Sequence, residues 1–107
     1  IKKIVINKQI FDQINLGHGG VIVTSQGSNY DFVSRFFTSQ SSILEDPVTG
    51  SSHCSLTPFW AKKLNKSSMI ASQLSQRGGI IACLDKEDRV IISGKAKTYS
   101  KGVLWTK

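Results

Sequence analysis

The sequence predicts an α+β fold in which a mostly antiparallel, barrel-like sheet wraps one central helix. Three observations carry that expectation. A single long segment, from about Ser51 to Asn65, places apolar residues at helical spacing. Most of the remaining chain breaks into short runs of β-branched and aromatic residues separated by Gly, Asn, Asp and Ser. A length of 107 residues also matches one domain, enough to enclose a core without staples.

The elements follow in order. From Asn7 to Leu16, Ile10, Phe11 and Ile14 recur at helical spacing, and Gly17 then Gly19-Gly20 stop a short amphipathic helix. Val21-Ile22-Val23-Thr24 reads as a buried strand, closed by the turn Gln26-Gly27-Ser28-Asn29. Tyr30 to Thr38, rich in Phe and Val, reads as a second strand antiparallel to the first. Glu45 to Ser52 is a loop that feeds the long helix. There His53, Leu56, Trp60 and Leu64 form one stripe, widened by Cys54, Thr57 and Ala61, with Phe59 elsewhere on the wheel. Lys62, Lys63 and Lys66 suit its C-terminal dipole, and Pro58 predicts a kink because it offers no N–H to the carbonyl of Cys54. Four strands are expected next, at about Met69–Leu74, Ile80–Leu84, Arg89–Ser93 and Ala96–Trp105, with turns at Gln76–Gly79 and Lys86–Asp88. That makes about six strands.

Composition narrows the function classes. No apolar run approaches the ~18–20 residues that cross a bilayer, and the N-terminal residues do not form a secretory signal, so a membrane partner is not expected. Cys54 and Cys83 are too few for a disulfide scaffold or a cysteine zinc site, and read as small buried hydrophobes of a reducing, cytoplasmic protein. His18 and His53 lack a third partner, so no metal is expected. Fourteen basic against seven acidic residues give +7, which invites a nucleic-acid reading. The lysines are scattered, however, and only three arginines occur, so a solvated basic surface is favoured and nucleic acid is an unlikely partner. The chain opens at Ile1 rather than methionine, which suggests a piece of a longer protein.

Chemistry concentrates in Asp46-Pro47-Val48-Thr49-Gly50-Ser51-Ser52. A helix starting near Ser51 leaves backbone N–H groups unpaired, with about half a positive charge from the dipole. Gly50 admits a ligand close to the backbone, and the hydroxyls of Thr49, Ser51 and Ser52 add donors. Such a site suits a carboxylate or phosphate. Asp46, stiffened by Pro47, is placed to give or take a proton. A plainer account fits the same spacing: Thr49 or Ser51 as a cap, and Asp46 answering the positive helix end. His53 within the apolar stripe reads first as a core histidine. No nucleophile elbow, P-loop or dinucleotide fingerprint is present.

The run Gly20-Val21-Ile22-Val23-Thr24, then Asp31 to Phe37, then Glu45 to Cys54, resembles the PhzF-like family of phenazine-biosynthesis isomerases and epimerases. Pro58-Phe59-Trp60, Gln73 to Gly79, and Arg89 to Ala96 extend the resemblance over nearly all the chain from Gly20 onward. It implies a diaminopimelate epimerase-like fold of two similar lobes, each a barrel-like sheet around a helix, with the site in the cleft between them. Residues 1–107 would be a single domain matching the second, C-terminal lobe. The first lobe supplies a glutamate base that has no counterpart here, and Glu45 does not match it.

By the same resemblance Asp46 is the catalytic acidic residue of this lobe. Gly50, Ser51 and Ser52 grip a substrate carboxylate. His53 supports the loop, and Arg77, Gly78 and Gly79 form a turn facing the cleft. Ser39 and Ser42 stand where the family often has proline and glycine, which predicts a looser loop. The implied chemistry is cofactor-free acid/base isomerisation or epimerisation of a small carboxylate-bearing metabolite in a biosynthetic process, incomplete in an isolated lobe. The implied partner is a complementary first lobe or a second copy, since the interlobe surface would otherwise stand exposed. A non-catalytic binding or scaffold module that keeps the fold is the alternative.

Overall fold

The computed structural model describes residues 1–107 throughout. Its elements are α1 (Lys8–Phe11), β1 (Val21–Gln26), β2 (Phe32–Phe37), α2 (Ser52–Leu64), β3 (Ser68–Gln73), β4 (Gly79–Asp85) and β5 (Val90–Ser93). The α+β class and the single long helix agree with the sequence reading. The five strands form one sheet in the order β1-β2-β3-β4-β5, open at both ends rather than closed into a barrel.

Three of the four strand pairings are antiparallel, and β2 and β3 run parallel. The parallel pair has a simple cause. The chain leaves β2, crosses the sheet as α2 and returns as β3, so the two strands point the same way, as in any crossover. Val21 pairs with Phe37 and Gln26 with Phe32 across the first hairpin, so Gln26, foreseen in the turn, ends the strand and residues 27–31 form the loop.

The alternation of side chains then selects the inner face. Phe32, Met69, Ala71, Ile81 and Cys83 point from the sheet onto Leu56, Trp60 and Ala61 of α2, and these residues make the core. The indole of Trp60 stacks on Phe32 with centroids 5.8 Å apart. Its Nε1–H donates to Thr24 Oγ1 at 2.9 Å, so the one polar atom of the ring is satisfied. Large side chains buried this way contribute about 1.5–3 kcal/mol each.

Several expectations are corrected. The helix foreseen over Asn7–Leu16 is one turn, capped by Asn7 Oδ1 accepting from Ile10 N–H, and none of its residues is buried. A helix that short needs a surface to cover, and Ile10 and Ile14 find none. The sixth strand, Ala96–Trp105, has no regular structure. Cys54 is exposed rather than buried, whereas Cys83 is in the core. Helix α2 continues unbroken through Pro58: the carbonyl of Cys54 loses its helical donor on the exposed side of the helix, where both residues lie. Asn65 then ends the helix in the left-handed conformation, its N–H and that of Lys66 both donating to the carbonyl of Ala61. Finally, Ser39 is buried and its hydroxyl donates to the carbonyl of Ile14 at 2.6 Å, so the loop foreseen as loose is tied at that point.

Candidate functional site

The loop Glu45–Ser51 enters α2 between the end of β3 and the start of β4. Its hub is Thr49, which is buried. The Thr49 N–H donates to Gln73 Oε1 at 2.8 Å, and its hydroxyl donates to Asp46 Oδ2 at 2.6 Å. The Thr49 carbonyl accepts from the Ser52 hydroxyl and from His53 Nδ1, each at 2.8 Å. Gln73, 1% exposed, also donates from Nε2 to the carbonyl of Asp46 at 2.9 Å and to Thr49 Oγ1 at 3.1 Å. One amide side chain therefore holds both ends of the Asp46–Thr49 turn.

The next three N–H groups differ. Within the protein, no acceptor takes the N–H of Gly50, Ser51 or Ser52, and Ser51 makes no side-chain cap. The following pair, His53 N–H and Cys54 N–H, turn back to the carbonyls of Gly50 and Ser51 at 3.0 and 3.1 Å. Free N–H groups at the start of a thirteen-residue helix carry the positive end of its dipole, which is the chemistry of an anion grip. Of the hydroxyls expected to help, those of Thr49 and Ser52 are spent inside the loop, and that of Ser51 is exposed.

Gly50 lines a broad open groove of about 1140 Å³ that also includes Arg77, Gly78 and Gly79. Four of the residues singled out in the sequence thus share one surface. Gly78 has φ +72°, a conformation that favours glycine. A Cβ on Gly79 would come within 2.4 Å of Val48 Cγ2, so the bare backbone lets the loop seat against β4. Ser75 locks the turn to the loop, donating to the carbonyl of Pro47 at 2.6 Å and accepting from Gly78 N–H at 2.9 Å. Arg77 also borders a smaller hollow, about 300 Å³, lined by Glu45, Pro47, Ser75 and Gln76.

Asp46 is half-buried, and Thr49 is its side-chain partner. Glu45, its neighbour, is committed elsewhere: its carboxylate takes both Nε and Nη2 of Arg35, at 2.7 and 2.9 Å. Arg35 in turn donates to the carbonyl of Ile4 at 2.7 Å, tying the N-terminal segment to β2. Glu45 is thus spent in an ion pair that holds β2 to the loop.

His53 is fully enclosed and packs against Phe32. Because a carbonyl only accepts, the bond to Thr49 puts the proton on Nδ1, and Nε2 is left buried with no partner. Burial pushes the imidazole pKa below its usual 6.5, against the smaller opposing effect of the Thr49 carbonyl. The sign follows. The unfolded chain takes a proton near pH 6.5 that the folded imidazole refuses, so this contribution to stability is complete above that pH. It falls as the pH drops below it, by up to about 1.4 kcal/mol per unit, until the folded pKa is reached. Urea unfolding from about pH 7 to about pH 5 should show this loss, and His53→Asn should flatten it. Asp31, whose carboxyl is lowered from 3.8 by Lys66 and by Ile70 N–H, acts only in a more acidic window.

Gln73 is the residue that sequence reasoning left out of the site. A signal was present: at the end of β3 it shares the inward face of Met69 and Ala71, a polar amide where the pattern asks for an apolar side chain.

Comparison with known proteins gives a consistent result. The sequence profile described as phenazine biosynthesis-like protein matches residues 3–102. An uncharacterized isomerase of Pseudomonas aeruginosa is 53% identical over 83 residues, covering 78% of this chain and 32% of its own length. An uncharacterized isomerase of Halalkalibacterium halodurans is 42% identical over 106 residues, 97% of this chain and 39% of its own. Among solved structures, a phenazine biosynthesis protein PhzF family member from Enterococcus faecalis superposes with a TM-score of 0.84 at 46% identity, over 98% of this chain and 40% of its own. The chain therefore spans about a third to two fifths of these relatives.

Proposed function

We propose, because this chain belongs to the phenazine biosynthesis-like family, that it forms one wall of a cofactor-independent isomerase or epimerase acting on a small carboxylate-bearing metabolite. The observation that carries the reading is the run of three unclaimed N–H groups at Gly50, Ser51 and Ser52, opening α2 beside the hydrogen-bonded Asp46. Relatives named as isomerases support the reaction class.

In this reading the N–H groups of the loop hold the substrate carboxylate, and their fixed dipoles stabilise the negative charge that builds up when a neighbouring carbon loses its proton. Asp46 gives or returns that proton, with the Thr49 hydroxyl aiming its carboxyl. His53 and Gln73 fix Thr49, and Arg77 with Gly78 and Gly79 borders the groove beside Gly50. The second acid/base group comes from an opposite wall, the first lobe of a longer chain or a separate copy, this chain being the second, C-terminal lobe. Positioning between two walls contributes several kcal/mol, so this wall alone would be slow. A cytoplasmic setting agrees with two free cysteines, one of them exposed.

A non-catalytic binding module is the second reading, favoured by the bond that already occupies an oxygen of Asp46. Both readings require the anion grip, so it is tested first. Titrating the ¹⁵N-labelled chain with benzoate should shift the Gly50, Ser51 and Ser52 amide resonances together, and leave that of Thr49, held by Gln73, much less affected. Shifts spread over surface lysines, with those three unmoved, would remove the carboxylate site from both.

A further inference from the structure

The loop before α2 carries two adjacent carboxylates, Glu45 and Asp46, and successive residues of an extended segment point to opposite faces. Register therefore decides which of the two meets the anion grip. Thr38 N–H donates to the carbonyl of Leu44 at 2.9 Å, and Asp46 N–H donates to that of Phe36 at 3.0 Å. Between these bonds Phe37 and Glu45 form an antiparallel bridge. So short a ladder holds its register weakly, and a slip of one residue would turn Glu45 inward and Asp46 outward.

Arg35 opposes that slip. It lies on the same face of β2 as Phe37, the face turned away from Phe32 and the core, and diagonal to Glu45. Its guanidinium sits over the Phe37 ring, 4.8 Å from the centroid, and spans both carboxylate oxygens of Glu45 at 2.7 and 2.9 Å. The remaining nitrogen, Nη1, donates to the carbonyl of Ile4 at 2.7 Å and, more weakly, to those of Ile1 and Lys2 at 3.3 and 3.4 Å. Pinned on both sides, the guanidinium cannot follow Glu45 through a slip. An exposed ion pair fixes little, but this one is forked and shielded, its side chains only 12% and 21% exposed.

We infer that Arg35 is a positioning residue for the proposed reaction: by claiming Glu45 on the outer face, it sets the register that presents Asp46 to the anion grip. Asp46, one residue on, takes the inner face, where the Thr49 hydroxyl donates to its carboxylate and Gln73 Nε2 to its carbonyl. Arg35 touches no substrate, and its effect passes entirely through the backbone of Glu45 and Asp46. The inference rests on the reading of Asp46 as the group that carries the proton. It also gives the Glu45-Asp46 pair a division of labour, one carboxylate spent on register and the other left for chemistry.

The test is deuterium uptake at the carbon beside a carboxylate, with the complementary lobe supplied, read as the maximal rate per folded molecule after circular dichroism has given the folded fraction. Arg35→Gln should lower that rate by about 10–10²-fold, the scale of a small misplacement of a reacting group. Benzoate titrated against Gly50–Ser52 should meanwhile bind within a few-fold of wild type. Arg35→Lys, the variant closer to native, should fall between, since an ammonium keeps the charge but has no planar fork to span both oxygens. Arg35→Gln/Glu45→Gln should recover most of the loss, because an amide at position 45 can bond the amide at position 35 and leaves no unpaired charge to draw it inward. An unchanged maximal rate in Arg35→Gln or Arg35→Lys, with only stability lowered, would make the ion pair a plain strut and overturn the inference. So would a rate loss matched by weaker benzoate binding, or a double variant no faster than Arg35→Gln. A wild-type chain that shows no exchange removes the isomerase reading itself, and this inference with it.

Discussion

Replacing Gln73 by leucine should cost about 2–4 kcal/mol, as a lower urea midpoint with an unchanged slope. The side chain is buried and makes three bonds to the loop before α2: from Thr49 N–H, to the Asp46 carbonyl and to Thr49 Oγ1. Leucine fits the volume but leaves a buried N–H without an acceptor and a carbonyl without a donor. Each such orphan costs about 1–3 kcal/mol, because the group gave up water to be there. Gln73→Glu separates the two halves, since a carboxylate still accepts from Thr49 N–H and cannot donate to Asp46. It should land between wild type and Gln73→Leu. The loss is a large share of the about 5–15 kcal/mol that holds a domain together. A change below about 1 kcal/mol for Gln73→Leu would mean that water replaces the amide, and that the loop is held by other contacts.

The same residue shows where sequence reading reaches and where it stops. Helix α2 and all five strands were legible because burial imposes periods of 3.6 and 2 on long apolar segments, and Leu56, Trp60, Met69 and Ile81 obey them. The parallel pairing of β2 with β3 was not, since turn residues report hairpins and say nothing of what a crossover helix does to strand order. Barrel closure and the sixth strand failed for a related reason: alternation in Ala96–Trp105 records what the segment could pair with, while pairing needs an edge in reach. At the site, Asp46 and the glycines were visible through their special chemistry. The bonds that spend the hydroxyls of Thr49 and Ser52 on the loop itself depend on distances of under 3 Å, which no spacing encodes.

Replacing Asp46 by asparagine should lower proton exchange on a small carboxylic acid by about 10²–10⁴-fold, with carboxylate binding within a few-fold of wild type. The substitution is diagnostic because of its geometry. Thr49 Oγ1 donates to Asp46 Oδ2, and an asparagine carbonyl oxygen can accept the same bond, so the turn and the N–H groups behind it keep their places. What disappears is the ability to take up and release a proton. Deuterium uptake at the carbon beside the carboxylate, followed by NMR with the complementary lobe supplied, reads that property directly. Benzoate-induced shifts at Gly50–Ser52 read the grip. Thr49→Val is the companion variant, because it leaves Asp46 ionisable but removes the hydroxyl that aims it. A role in positioning predicts a smaller loss there than in Asp46→Asn, falling on kcat rather than on carboxylate binding. Exchange that proceeds unchanged in Asp46→Asn would leave the anion grip intact and take proton transfer away from this wall, which is what the binding-module reading requires.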